Sequence, residues 1–216
     1  LFPLINENLL PYFTGIGVIT FVASNLMGLK QVKARRMLGY SSIAQMGLMV
    51  AALSLIMQFS GSFDAFRSLV IIIGGLFLNH FIAKAGLFWL AGIVKKENIS
   101  DWSGIRGNIL LVFMFGAFIF ALIGLPPFPG FWAKWELLTK MASNNLGVWI
   151  FPILLGSLLE AVYLLRWFGM TVKGDSEQLS EIKFSKFFPV TMFLFFFIYI
   201  TLSFTEFFSF SYYTLL

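Results

Sequence analysis

Long apolar runs separated by short polar segments set the pattern of this chain. Windows free of charge or nearly so fall at Tyr12–Leu29, Tyr40–Phe59, Ser68–Val94, Ile109–Thr139, Val148–Val172 and Phe187–Phe204. Each is close to or above the roughly 20 apolar residues that a helix needs to cross about 30 Å of hydrocarbon. None shows the in/out alternation of a membrane barrel strand. The pattern predicts an all-α polytopic membrane protein with about six transmembrane helices. The fourth run is too long for a simple crossing, because a straight helix over Ile109–Thr139 would reach roughly 46 Å at about 1.5 Å per residue. Inside it, Gly124, Leu125, Pro126, Pro127, Phe128, Pro129 and Gly130 combine missing backbone donors with permissive dihedrals. The helix is therefore predicted to break over Gly124–Gly130.

Composition strengthens this reading. Of 216 residues, 59% are hydrophobic and 12% charged, against about 25% charged in a soluble domain, and the mean hydropathy is +0.88. The net charge of +5 does not form a continuous basic face, so nucleic acid is excluded as a partner and membrane topology accounts for the charge. The connections after the first, third and fifth runs hold Lys30, Lys33, Arg35, Arg36, Lys95, Lys96, Arg106, Lys173, Lys183 and Lys186, whereas those after the second and fourth hold only Arg67 and Lys140. Basic loops concentrate on the cytoplasmic or matrix side. That places both termini on the opposite side. The polar loop Gly174–Lys186 is expected to lie over the membrane surface. With no cysteine, disulfides, thiolate metal sites and Cys-ligated iron–sulfur clusters are excluded for this chain. No catalytic, cofactor-binding or metal site is expected in it, and redox chemistry belongs to other chains. The N-terminus has no secretory signal pattern, and Leu1 fits processing, an unusual start codon or a chain that begins inside a longer protein.

Charges inside apolar helices cost about 2.5–3.5 kcal/mol on insertion scales and therefore face protein or water. Lys84 lies 14 residues beyond Val70, about 21 Å along its helix, too deep to snorkel easily. His80 sits one turn earlier on the same face, so two proton-exchanging groups point together. The structural alternative is a lysine paired with an acid and a histidine bonded to a neighbouring helix. Lys134 follows the predicted break, where free carbonyls build ion sites in transporters; desolvation opposes its charge and nearby Glu136 supports it. Glu160 lies about halfway along the fifth run and needs a partner, with Lys134 and Lys84 as candidates and a relay role or a structural ion pair as the two readings. For Arg166, near the basic end, headgroup contact is expected. For Ser24 and Asn25, interhelical hydrogen bonds are expected.

Three blocks carry a resemblance. Lys33–Gly47, K-A-R-R-M-L-G-Y-S-S-I-A-Q-M-G, resembles D-[IV]-K-R-x-L-A-Y-S-S-I-x-Q-x-G; His80–Phe88, H-F-I-A-K-A-G-L-F, resembles H-x-x-x-K-A-x-L-F; and Leu122–Lys134, L-I-G-L-P-P-F-P-G-F-W-A-K, resembles L-x-G-[IL]-P-P-x-x-G-F-x-x-K. Their order and spacing are similar to those of the antiporter-like proton-pumping subunits of respiratory complex I, membrane-bound hydrogenases and Mrp-type sodium/proton antiporters. The resemblance covers nearly the whole chain. It implies that Lys84 is the central relay lysine with His80 one turn away, and that Lys134 is the ionisable residue of the broken helix. The family fold has about fourteen helices with two inverted five-helix repeats. Residues 1–172 match the second repeat, 173–186 a polar loop, and 187–216 an extra helix and tail. The first repeat, with its glutamate–lysine pair, is absent, which implies a second chain or segment that supplies it. Two departures stand out: Gln31 or Val32 replaces the aspartate before the Lys-Arg pair, and Leu158–Tyr163 with its Glu160 looks closer to hydrogenase- and Mrp-like members.

The implied function is proton translocation along His80, Lys84, Lys134, Glu136 and Glu160, as one subunit of a redox-driven NADH-quinone oxidoreductase. Flavin, iron–sulfur and quinone or hydrogenase centres are then expected in partner subunits. The implied setting is the mitochondrial inner membrane or a bacterial or archaeal cytoplasmic membrane, with lipid, other membrane subunits and protons, or sodium, as partners. The alternatives are a hydrogenase or Mrp-type subunit, and a structural membrane subunit without transport.

Overall fold

A computed structural model describes residues 7–59, 67–174 and 184–213 of the protein. Among the described residues the regular elements are all helical: α1 (Leu10–Leu29), α2 (Ala34–Phe59), α3 (Gly75–Val94) preceded by a π turn at Leu69–Gly74, α4 (Ile109–Ile123), α5 (Pro129–Ser143), α6 (Ile150–Lys173) and α7 (Phe184–Tyr213). Leu10–Leu29, Ala34–Gln58, Leu69–Val94 and Gly147–Lys173 are long and apolar enough to cross a membrane, and Ile109–Ile123 and Phe188–Ser203 are shorter apolar helices. The expected polytopic all-α architecture is therefore observed. α2 starts at Ala34, ahead of the expected Tyr40, because Arg35 and Arg36 ride its first turn with their side chains exposed.

The overlong fourth run is two helices. α4 stops at Gly124, whose φ of +84° is a conformation that suits glycine. α5 resumes at Pro129, which supplies no backbone donor at a position that needs none. The break spans Gly124–Phe128, a little shorter than expected, since Pro129 and Gly130 already belong to the second helix.

α1 and α2 form the tightest pair. A Cβ on Gly17 would lie 2.6 Å from the Ala51 nitrogen and one on Gly47 would lie 2.7 Å from the Gly17 oxygen, so the two backbones touch through small residues. Such contacts replace the hydrophobic effect as the source of helix association in lipid. α6 then packs on α1, while α3 carries α4, α5 and α7.

Two apolar clusters result. One joins Leu38, Leu87, Trp102, Phe115, Phe118 and Trp167, with ring centroids of Trp102 and Trp167 4.6 Å apart in an edge-on arrangement. The other joins Phe21, Leu48, Leu55, Leu76, Leu137 and Ile153. Ile16, Ile19, Phe81, Phe113, Val148, Phe151 and Phe195 are exposed on the outside of the bundle, where a lipid environment suits them.

The connections after α1 and α3 meet at one end, beside the last turns of α6. Lys33 pairs with Glu97 at 3.0 Å, the Ala34 amide donates to the Glu97 carbonyl and the Ile99 amide to the Val32 carbonyl, both at 2.9 Å. The 3₁₀ stretch Ile99–Gly107 buries Trp102 against α6. Arg166 donates to the carbonyls of Leu29 at 2.7 Å and Gln31 at 2.6 Å, so it clamps the end of α1 to α6 rather than reaching for headgroups. Leu1, Leu216 and most of the connections Ser60–Arg67 and Gly174–Lys186 lie outside the described residues.

Candidate functional site

The buried charges lie in a polar layer between the two apolar clusters. On α2 that layer falls between Leu38 and Ala44; on α3 it follows Leu76 and takes in Ile82 and Ala83 of the first cluster, and on α6 it runs from Ile153 to Tyr163, itself a member of that cluster. It contains Ser41, His80, Lys84, Lys134, Glu160 and Tyr163.

Lys134 illustrates how local sequence builds the site. In an uninterrupted helix the Ile123 carbonyl would accept from the amide four residues on, but residue 127 is proline and has none. The amine of Lys134, one turn into α5, takes that place at 3.2 Å. The Ala121 carbonyl receives the side-chain amide of Asn79 at 2.8 Å, and Asn79 packs directly on Gly130 of α5. The break thus exposes carbonyls, as the prolines predict, and side chains of α5 and α3 satisfy them.

The carboxylate that meets Lys134 is Glu160 on α6, at 3.9 Å, with Glu160 only 1% exposed. That separation is longer than a charge-assisted hydrogen bond of about 2.7–2.9 Å, so the two attract without sharing a proton. Glu136, expected from sequence proximity as the acidic neighbour, is buried but lies two residues along α5 from Lys134, about 200° around the helix. Residues at that spacing face away from each other. Glu160 Oε1 accepts from the Ser41 hydroxyl at 2.8 Å, while Oε2 has no hydrogen bond.

Lys84 is 5% exposed and donates to the Leu38 carbonyl at 2.5 Å. It lies within electrostatic reach of Glu160. His80 is buried one turn earlier on α3 and feels the charges of both Lys84 and Lys134. The structure therefore gathers Lys84, His80, Lys134 and Glu160 into one electrostatic unit contributed by α3, α5 and α6.

Sequence reasoning passed over Ser41 and Tyr163. The Tyr163 hydroxyl donates to Asn25 Oδ1 at 2.9 Å and lies close to Ser41. Asn25 in turn donates to the Gly156 carbonyl at 3.0 Å, the interhelical bond expected of it. One signal was available: Tyr163 follows Glu160 by three residues and so shares its helix face. Among the described residues no group of three or more His, Cys, Asp or Glu could hold a metal ion.

Known proteins resemble this chain in sequence and in fold. The sequence profile of the family described as NADH:quinone oxidoreductase/Mrp antiporter, TM, matches residues 1–160. NADH-quinone oxidoreductase subunit N of Desulforudis audaxviator is 37% identical over 153 residues, covering 66% of this chain and 28% of that protein. The fold is similar to a chain of the membrane-bound sulfane sulfur reductase, an archaeal respiratory membrane complex, with a TM-score of 0.76 and 25% identity over 94% of this chain and 41% of that one. A chain of respiratory complex I from Thermus thermophilus shares the fold at a TM-score of 0.69 and 23% identity, covering 89% of this chain and 43% of that one. The chain spans about a third of the length of the curated relatives it matches, 28%, 32% and 37% in three of them.

Proposed function

The chain belongs to the NADH:quinone oxidoreductase/Mrp antiporter transmembrane family, and on that premise we propose that it is the proton-translocating C-terminal half of an antiporter-like subunit in a redox-driven respiratory complex of the NADH-quinone oxidoreductase type. Residues 1–172 are the second five-helix repeat and 187–216 the helix that follows it. Another chain or segment supplies the first repeat, and partner subunits hold the redox centres. The basic connections face the matrix or cytoplasm, in a mitochondrial inner membrane or a bacterial or archaeal cytoplasmic membrane.

One observation carries this reading: a mostly buried amine, Lys134, and a fully buried carboxylate, Glu160, are held 3.9 Å apart beside a broken helix. A structural ion pair gains most from direct, fully satisfied contact. This pair instead gives its amine to a carbonyl and leaves one carboxylate oxygen without a hydrogen bond. Such a pair is bistable, because a proton added to Glu160 or removed from Lys134 cancels one charge and releases the other. Lys84 and His80 extend the unit, so energy arriving from remote redox steps shifts charge from one amine to the next.

A second reading has its own support. The likeness to the sulfane sulfur reductase chain and the Leu158–Tyr163 segment favour a hydrogenase- or Mrp-like assembly with the same ion path. Both readings are tested in the complete complex reconstituted in vesicles. Lys134→Ala is expected to lower proton translocation about tenfold or more while uncoupled electron transfer continues. Unchanged translocation removes Lys134 from the path. Proton flux driven by a sodium gradient in an assembly without flavin or iron–sulfur subunits selects the antiporter reading.

A further inference from the structure

The polar layer does not end at Glu160. Along α6, Glu160, Tyr163 and Arg166 follow one another at intervals of three residues, which keeps them close on one side of the helix and raises the stripe about 9 Å toward the basic end. Two other helices line it. Ser41 of α2 donates to Glu160, Asn25 of α1 accepts from Tyr163, and the Tyr163 ring lies against Gly28 in the last turn of α1. Arg166 stands above, half-buried, on the carbonyls of Leu29 and Gln31.

We propose that Asn25, Ser41 and Tyr163 form a proton-uptake branch that loads Glu160 from the end of the bundle carrying the basic connections. The proposal rests on the ion-path reading above and adds a route to it. Each hydroxyl has one proton to give and lone pairs to receive another. With Glu160 ionised, the Ser41 proton is committed to Glu160 Oε1. Tyr163 donates to Asn25 Oδ1 and lies beside Ser41, whose Oγ is its alternative acceptor in this proposal. When Tyr163 turns its O–H from Asn25 to Ser41, Ser41 takes that proton and passes its own to Glu160. Water at the basic end then reprotonates Tyr163. Both hydroxyls finish neutral and Glu160 has gained one proton.

Asn25 is thus the resting acceptor that holds the Tyr163 donor away from Ser41. The groups around Glu160 are Lys134 from α5, Lys84 from α3, Ser41 from α2 and Tyr163 on α6 itself, and His80 of α3 is near enough to feel both lysines. Neutralising Glu160 removes the carboxylate that both lysines face, so loading is felt directly by the amines that pass charge on.

The test uses the complete complex in vesicles, with translocation and uncoupled electron transfer measured together. Ser41→Ala and Tyr163→Phe are expected to lower proton translocation about tenfold or more while electron transfer stays near the wild-type rate. Ser41→Thr, which restores a hydroxyl, recovers most of the loss. Full translocation in both hydroxyl-free variants, in a complex that Lys134→Ala silences, overturns the branch and leaves the ion path standing. Equal losses in Ser41→Ala and Ser41→Thr also overturn it, because they mark a packing role. If Lys134→Ala itself translocates normally, the underlying ion-path reading fails instead.

Discussion

Lys84 and Lys134 are both amines sunk in apolar helices, and they solve the same problem differently. Lys84 borrows the Leu38 carbonyl from inside the intact helix α2, where the Ser42 hydroxyl also donates at 3.0 Å. Lys134 takes a carbonyl that a proline has left without its helical donor, and it faces a carboxylate at 3.9 Å as well. A charge inside a membrane needs an acceptor in either case. An intact helix gives it one fixed partner. A cut helix opens a second possibility, because the amine then stands between a carbonyl and a carboxylate and its charge depends on which of them dominates. On the proposed ion path, that contrast makes Lys134 the residue whose state changes first and Lys84 the one to which the change passes.

The largest expected effect breaks this contrast at Glu160. Glu160→Gln leaves the Lys134 charge buried without its counter-charge, a loss of about 3–5 kcal/mol by analogy with other buried pairs. Thermal denaturation of the complex should register it, and translocation should disappear with it. Adding Lys134→Met in the same background should recover much of the stability and none of the translocation. The next effect separates stability from transport. Lys84→Met removes one hydrogen bond and fills similar space, so stability should change by no more than about 1–2 kcal/mol while translocation falls severely. Retained translocation would return Lys84 to a structural role. The smallest effect concerns Glu136. Because it faces away from Lys134, Glu136→Gln should leave stability within about 1 kcal/mol and translocation near wild type. A loss comparable with that of Glu160→Gln would put Glu136 back in the path.

Much of the fold was legible because apolar runs bounded by charge define spans whatever the tertiary structure. The break was legible too, since Pro126 and Pro127 remove donors wherever they stand. What escaped has physical causes. α2 begins before its first apolar window because arginines on an exposed first turn extend a helix as readily as apolar residues do. The 3₁₀ stretch Ile99–Gly107 buries Trp102 among polar neighbours, a pattern that hydropathy averages away. At the site, Lys84 and Lys134 stood out because charge is rare in such helices, and Glu160 did for the same reason. Ser41 and Tyr163 carry no charge and did not stand out, although Ser41 donates to Glu160 and Tyr163 lies one turn from it on the same helix, bonded to Asn25. Proximity in sequence suggested Glu136 as the acid beside Lys134, whereas proximity around the helix decides, and Glu160 of α6 takes that place.

The contact of α1 with α2 bears on all of this. A path that moves charge across a membrane is useful only if charge cannot return beside it, and leakage needs little more than a wetted seam. Where Gly17 meets Gly47 and Ala51 the two backbones touch, and no file of water fits between surfaces in van der Waals contact. On the proposed path, α2 therefore insulates on the face it turns to α1 and passes protons on the face that carries Ser41. One helix then separates that path from a short circuit, and the absence of two side chains is what closes the gap.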